Sequence, residues 1–354
     1  MELLYVLTDI VGTAFRFFPW PARTGLVRIG NPDRTSPVLV TCNYRLTVER
    51  VKKALRGQDA YLLVANSRGI NVWCASAGGH LTQHDIISAL KTSGIEEMVD
   101  HRRVVLPQLA AAGVEGRLVQ QKTGWKVVWG PVYAKDIPRF LALQGEKPAD
   151  MRQVRFPWRA RVEMAVMWAF PLSLLAALAA AFFWPGGILS IAGLIWGLSL
   201  GVFLAFPLLS RWLGPEHHFA EHIGVPLAIW SIVLAGFVLA GILLDALTWG
   251  FMLRWGLVSL LLVLLLSMDL AGSTPVYKSG THEDRQFEVV LDEEKCRGAA
   301  FCEEVCPRNC YRVDAERHKA AMPRAGRCVQ CGACIVQCSF DALWFRSPSG
   351  AIVS

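Results

Sequence analysis

Eight of the chain's ten cysteines lie between Cys296 and Cys338, in two runs: Cys296, Cys302, Cys306 and Cys310, then Cys328, Cys331, Cys334 and Cys338. The second run, CVQCGACIVQC, has the spacing C-x2-C-x2-C-x3-C. That spacing puts three thiolates in one tight loop around a cubane iron–sulfur cluster, with a distant fourth cysteine to complete the cage. Structural zinc prefers two C-x2-C pairs set further apart. A disulfide framework belongs to small domains in an oxidising compartment.

In two-cluster ferredoxins the last cysteine of each run ligates the other cluster. Cys328, Cys331 and Cys334 together with Cys306, which precedes Pro307, are therefore the predicted ligands of one [4Fe–4S] cluster. The first run, KCRGAAFCEEVCPRNC, has Ala299 where a second ligand is expected, which leaves Cys296, Cys302 and Cys338. Three outcomes stay open there: a [3Fe–4S] cluster, a [4Fe–4S] cluster completed by Cys310, or an empty or labile site.

A second chemical signal is INVWCASAGGHLTQHD (70–85). It reads as an apolar strand ending at Trp73-Cys74, then small residues through Gly78 and Gly79, then a helix from about Gln83. Small residues after a strand let the backbone approach a flat ligand closely. Cys74 then sits at the lip of the turn, although a lone strand-end cysteine also reads as a small buried hydrophobe. GGH lacks the Gly-Lys-Ser/Thr ending of a Walker loop. Cys42, in VTCNY, reads as a buried strand cysteine.

The elements that must position these residues fall into three segments. Within 35–150, PVLVT (37–41), AYLLVA (60–65), INVWCA (70–75) and WKVVWG (125–130) are β-rich, whereas LTVERVKKALRG (46–57) and QHDIISALKTSG (83–94) have helical apolar spacing. Such alternation predicts a layered α/β domain with ligands at the carboxyl ends of its strands. Hydrophobic content of 53% with only 18% charged residues and a mean hydropathy of +0.35 exceed those of ordinary soluble proteins. The excess lies between about 162 and 270, where four spans are predicted near 162–183, 187–207, 223–244 and 250–269. Arg152, Arg155, Arg159 and Arg161 precede the first span, a positive-inside signal rather than a nucleic-acid footprint. An even number of spans places both soluble ends on one side, the cytoplasm. A fifth span would separate them.

The first thirty residues do not read as a signal peptide, because Asp9 interrupts the apolar run. Their aromatics, Phe15, Phe17, Phe18 and Trp20, are expected to pack on the domain or touch the membrane surface. The HFAEH stretch (218–222) matches a metalloprotease pattern, H-x-x-E-H, but no third ligand is evident, and it reads as an interfacial polar loop.

GINVWCASAGGH (69–80), HRRVVLPQLAAAGVEG (101–116) and GPVYAKDIPRFL (130–141) resemble the corrinoid-binding domain of the corrinoid iron–sulfur proteins of acetyl-CoA synthesis. They look closest to the corrinoid protein family of mercury methylation, which joins that domain to a membrane segment. MDLAGSTP (268–275) is similar to that family's tail, and 281–345 resembles its partner ferredoxin, as if the two were fused. The resemblance implies an α/β Rossmann-like corrinoid-binding domain over 1–155, an α-helical transmembrane domain over 156–272, and a ferredoxin-like two-cluster iron–sulfur domain over 273–354.

It further implies a corrinoid of the cobalamin type, capped by a helix carrying Asn71, Val72, Trp73, Cys74 and Ala75, with Gly78 and Gly79 beside it. Cys74 is implied as the lower axial thiolate of cobalt, or as lying close beneath it. A thiolate pushes electron density onto a metal, as it does onto haem iron. The clusters are implied to reduce cobalt to Co(I), fed by an upstream electron donor. A separate methyltransferase of the methyltetrahydrofolate type is implied to supply the methyl group, with Hg(II) as acceptor. Gly78 stands where the family has lysine, and no cysteine follows Cys338 where its ferredoxin has a terminal pair. Two other readings are a corrinoid methyl carrier for a different acceptor and a membrane electron-transfer protein without corrinoid. The absence of internal repeats weighs against a transporter.

Overall fold

The computed structural model describes residues 2–210, 219–272 and 287–353. The chain splits into two compact units, one built from 1–12, 18–154 and 287–354 and the other from 13–17 and 155–286. The first unit is organised around β1 (Gly25–Ile29), β2 (Val38–Cys42), β3 (Ala60–Ala65), β4 (Arg103–Leu106) and β5 (Lys126–Trp129), paired in the order β1-β3-β2-β4-β5. β2 to β5 run parallel, and β1 is an antiparallel edge on β3. This mixed sheet fits a Rossmann-like domain.

The helices of this part are α1 (Glu2–Ala14), α2 (Arg45–Ala54), α3 (Val72–Ala77), α4 (Gln83–Thr92), α5 (Ile95–Met98), α6 (Gly116–Thr123), α7 (Ile137–Ala142) and α8 (Ala149–Arg152). VLVTC and AYLLVA are buried along their whole lengths, as strands covered on both faces must be. Alternate residues serve two cores. Val40 and Leu63 meet Ile86, Leu90 and Val119 on one face; Leu39 and Leu62 meet Val51, Leu55 and Ile137 on the other. Each fully buried leucine contributes roughly 1.5–3 kcal/mol, so the sheet is a rigid base and the loops at its carboxyl edge are free to specialise. From β2 the chain crosses to β3 on one side and returns to β4 on the other. The connections diverge there, at the crevice where open parallel sheets bind ligands.

PVLVT, AYLLVA and WKVVWG supply β2, β3 and β5 as predicted, and the two periodic stretches supply α2 and α4. INVWCA departs from the strand its composition predicts: Val72–Ala77 is helical, as the family resemblance implied. Asn71 caps this helix by accepting the Cys74 N–H at 3.0 Å. The local cap and the small Ala75, Ser76 and Ala77 outweigh the β preference of Ile-Val-Trp.

The second unit comprises α9 (Trp158–Phe183), α10 (Ile188–Leu209), α11 (Phe219–Leu243) and α12 (Trp249–Gly272). Four segments, Trp158–Phe183, Pro185–Leu209, Gly224–Leu243 and Trp249–Ser267, are long and apolar enough to cross a membrane by length and composition. Phe183 is 90% exposed and Leu189 85%, an arrangement that suits lipid tails rather than water. Inside the bundle Ala165, Ala169 and Phe203 are fully buried. Phe15 and Phe17 pack edge-on against Phe170 and Trp168, and Arg16 pairs with Glu163 at 3.2 Å. His217 and His218 lie outside the described residues, as do the side chains of Glu221 and His222, and so does the H-x-x-E-H pattern they form.

The cysteine-rich segment contains β6 (Glu288–Leu291), α13 (Phe301–Val305), β7 (Arg312–Asp314), β8 (Lys319–Ala321), α14 (Ala333–Val336), β9 (Leu343–Arg346) and β10 (Ile352–Val353). β10-β9-β6 form a small antiparallel sheet and β7-β8 a hairpin. The two helices are only a turn or so long. Its compact core consists largely of thiols: Cys306, Cys310 and Cys334 with Tyr311 and Leu343.

Candidate functional site

The carboxyl edge of the sheet is tied together by Asn43, immediately after β2. Its Oδ1 accepts from Ser67 N, Ser67 Oγ and Gly69 N, each at 2.9 Å. The loop after β3 is thereby fixed to the end of β2, and α3 leaves from a defined point. On α3, Val72, Ala75 and Ser76 are buried, Trp73 is half-buried and Cys74 is exposed. Ala77, Gly78 and Gly79 are exposed as well, and no atom lies within 4 Å of where a Gly79 Cβ would be. The thiol thus stands on a face of small residues, Ala77, Gly78 and Gly79, flanked by Trp73 and by the His80 ring, which would lie 3.5 Å from a Gly78 Cβ. That face suits a flat macrocycle with a soft metal at its centre.

Behind α3 runs the loop after β4. A Cβ on Gly113 would lie 2.4 Å from Ser76 O and 2.8 Å from Leu81 O. Both atoms are backbone, so neither can swing aside. Gly113→Ala is expected to destabilise the chain by about 1–3 kcal/mol and to displace the carboxyl end of α3. The checks are a lower Tm and faster amide exchange over 76–81.

The eight clustered cysteines separate into two cavities. Cys306, Cys310, Cys328, Cys331 and Cys334 line one. Cys296, Cys302 and Cys338 line the other, with Ala299 in its wall. Cys310 therefore belongs with the predicted four-cysteine site, and the first-run site has three thiols. Among the described residues, no three His, Cys, Asp or Glu side chains are grouped to hold a single ion. The thiols instead ring cavities, which suits polynuclear clusters better than tetrahedral zinc.

Donors already point at the sulfurs. Cys310 N lies 3.3 Å from Cys306 Sγ, Gln330 N 3.4 Å from Cys328 Sγ and Tyr311 Oη 3.2 Å from Cys334 Sγ. In the second cavity, Ala320 N donates to Cys296 Sγ at 3.4 Å and Ala342 N to Cys338 Sγ at 3.3 Å. Such donors stabilise negative charge on thiolates and their clusters. Burial pushes the Cys302 and Cys331 thiols up to about 12, whereas a hydrogen bond from Cys310 pulls Cys306 down to about 6. Metal binding must therefore expel protons from the deeper thiols.

The cysteine-rich segment and the α/β part share one core: Val305 and Ala333 are buried within the main cluster of the sheet domain, and Cys331 packs against it. Two glutamines that sequence reasoning missed join them. Gln108, fully buried, donates to Arg152 O at 2.9 Å and Val305 O at 3.1 Å. Gln337 bonds to the loop after β4. Val154 N donates to Pro307 O at 2.8 Å, and Arg152 meets Glu303 at 3.5 Å. Nothing local in the sequence marks these glutamines; their partners lie from 44 to 226 residues away.

Lys147 donates to Gly130 O at 3.3 Å. Burial pulls its ammonium down to about 7, against the attraction of Glu304. The folded chain then binds fewer protons than the unfolded one from about pH 7 to about pH 10, so this group makes stability rise with pH across that window. Lys147→Met should flatten the rise in thermal melts recorded over the same range.

Residues 16–141 match the family model described as CO dehydrogenase/acetyl-CoA synthase delta subunit. The chain is 40% identical over 129 residues to the acetyl-CoA decarbonylase/synthase complex subunit gamma of Methanopyrus kandleri, covering 36% of this chain and 28% of that protein. It is 36% identical over 125 residues to the same subunit of Methanothermobacter thermautotrophicus, covering 35% and 27%. For that of Archaeoglobus fulgidus the figures are 37% over 125 residues, covering 35% and 26%. The chain thus spans little more than a quarter of the length of these curated relatives. The matches correct the mercury-methylation assignment: the segment that holds all three corrinoid-domain motifs matches acetyl-CoA decarbonylase/synthase subunits over some 125 residues, and the Hg(II) acceptor that depended on that assignment falls with it. The α/β part of this chain is similar to subunits of acetyl-CoA decarbonylase/synthase.

Proposed function

We propose that this chain is a membrane-anchored corrinoid protein of methyl transfer, with its own iron–sulfur electron path folded onto the corrinoid domain. The observation that carries the reading is Cys74, an exposed thiol on a face of small residues at the carboxyl edge of a parallel sheet, in the segment similar to acetyl-CoA decarbonylase/synthase subunits. A bound corrinoid supplies a cobalt that accepts and releases a methyl group. Cys74 would hold that cobalt, and Asn71 fixes the helix that carries the thiol by capping α3. Val72 and Ala75 anchor the helix in the core, half-buried Trp73 flanks it, and Gly78 and Gly79 keep the face low.

Cys306, Cys328, Cys331 and Cys334 would hold a [4Fe–4S] cluster. Cys296, Cys302 and Cys338 would hold a second cluster, of the [3Fe–4S] type by thiol count. The 287–353 segment thus takes the role of a ferredoxin-like two-cluster domain. By the relatives' names, the methyl group is one half of an acetyl unit. A methyltransferase that supplies it, an upstream electron donor and further protein subunits are the partners this chemistry requires.

Four candidate spans among the described residues, with arginines before the first, support a reading in which both soluble segments are cytoplasmic. Their shared core supports an even number of spans, since two segments folded into one unit must occupy one compartment.

The test is cobalt content and the visible spectrum of anaerobically purified, detergent-solubilised protein. Bound corrinoid supports the proposal. Intact clusters with no corrinoid after reconstitution would sink it in favour of a plain membrane electron carrier.

A further inference from the structure

The loop after β4 is gripped from two sides. On one side Gly113 is pressed against Ser76 O, and Ser76 sits on α3 with Cys74. On the other is Gln337, the residue before Cys338. It is 8% exposed, and its amide is spent on this loop. Nε2 donates to Ala111 O at 2.8 Å and Val114 O at 2.7 Å, and Oε1 accepts the Gly116 N–H at 3.2 Å. Gln337 also lines the cavity of Cys296, Cys302 and Cys338. One side chain therefore touches both the three-cysteine site and the loop that backs α3. Removing it would leave two carbonyls and one N–H buried without partners, which is far costlier than losing an exposed hydrogen bond.

We propose that Gln337 is a positioning residue that clamps the three-cysteine site to the loop behind Cys74, making that site the fixed electron donor of the corrinoid. The inference rests on the function proposed above. In each transfer one electron leaves the reduced cluster and enters cobalt; the cluster is oxidised by one equivalent, cobalt is reduced by one, and no bond or proton in the loop changes. Electron transfer falls off steeply with distance, so a permanent clamp replaces a docking motion.

The test uses the full chain with clusters and corrinoid bound, comparing wild type with Gln337→Leu, Gln337→Glu and the surface control Gln120→Leu. In Gln337→Leu, amide exchange over 108–116 and 333–338 is expected to quicken roughly 10-fold or more, with iron content retained. The magnetic interaction between Co(II) and the reduced cluster, read by electron paramagnetic resonance, is expected to weaken. Gln337→Glu keeps an acceptor for Gly116 N–H but has no donor for the two carbonyls. It should protect the Gly116 amide while still weakening that interaction, and it decides the matter if the leucine variant fails to fold. The control should match wild type. Unchanged exchange overturns the clamp, and faster exchange with an unchanged magnetic interaction overturns its link to the corrinoid. A wild-type chain that binds no corrinoid overturns the functional reading itself, and the exchange arm then still reports on the clamp.

Discussion

Cys74→Ala is expected to leave the fold intact and to remove the thiolate signature from the spectrum of the bound corrinoid. Methyl transfer should fall by at least the roughly 10- to 100-fold that loss of an outer partner of a metal already causes. The fold should survive for local reasons. Asn71 caps α3 through the Cys74 backbone N–H, which alanine retains, and alanine is the better helix former. The Cys74 side chain is exposed, so truncation opens no cavity. Two measurements check this: the visible and paramagnetic resonance spectra of the Co(II) form, and single-turnover methyl transfer from the methylated form. Wild-type spectra together with wild-type transfer would remove Cys74 from the cobalt.

Cys331→Ala is expected to do more than release iron. The core of the 287–353 segment is largely sulfur, with Cys306, Cys310 and Cys334 around Tyr311 and Leu343. A module this small rarely stands on its apolar area alone, and the free energy of metal binding then becomes folding free energy. Cys331 also packs against the core of the sheet domain. Loss of iron, protease resistance and cooperative melting should therefore come together, and stripping iron from wild type should have the same effect. Cys310→Ala is the contrasting case. Its thiol lies in the same cavity, but four other cysteines there complete a cage, so iron content should hold. Iron loss in Cys310→Ala as complete as in Cys331→Ala would refute the ligand assignment.

Much of this was legible because it is local. The cysteine spacing in CVQCGACIVQC is set by a few covalently linked residues, and the four apolar helices by composition. VLVTC and AYLLVA announced themselves as buried strands because strands covered on both faces carry no polar alternation. INVWCA misled because its Ile-Val-Trp favours strand, while Asn71 as a cap tips the balance only in the context of the loop that Asn43 holds. The short motifs at 69–80, 101–116 and 130–141 misled at the level of family, since scattered motifs carry less information than the aligned stretch that contains them.

The sequence by itself determined how the eight thiols are spaced, which segments are apolar enough for a membrane, and that Cys74 borders an α/β layer. Only the tertiary structure decided that Cys310 joins the four-cysteine cavity and not the three-cysteine one. It alone decided that the cysteine-rich segment shares a core with the sheet domain, and that Gln108 and Gln337 join them. The physical reason is that a buried amide bonds to whichever backbone groups the fold brings to it, however distant along the chain. For Gln337 those partners lie on a loop more than two hundred residues away, where no periodicity, spacing or composition along the chain can point.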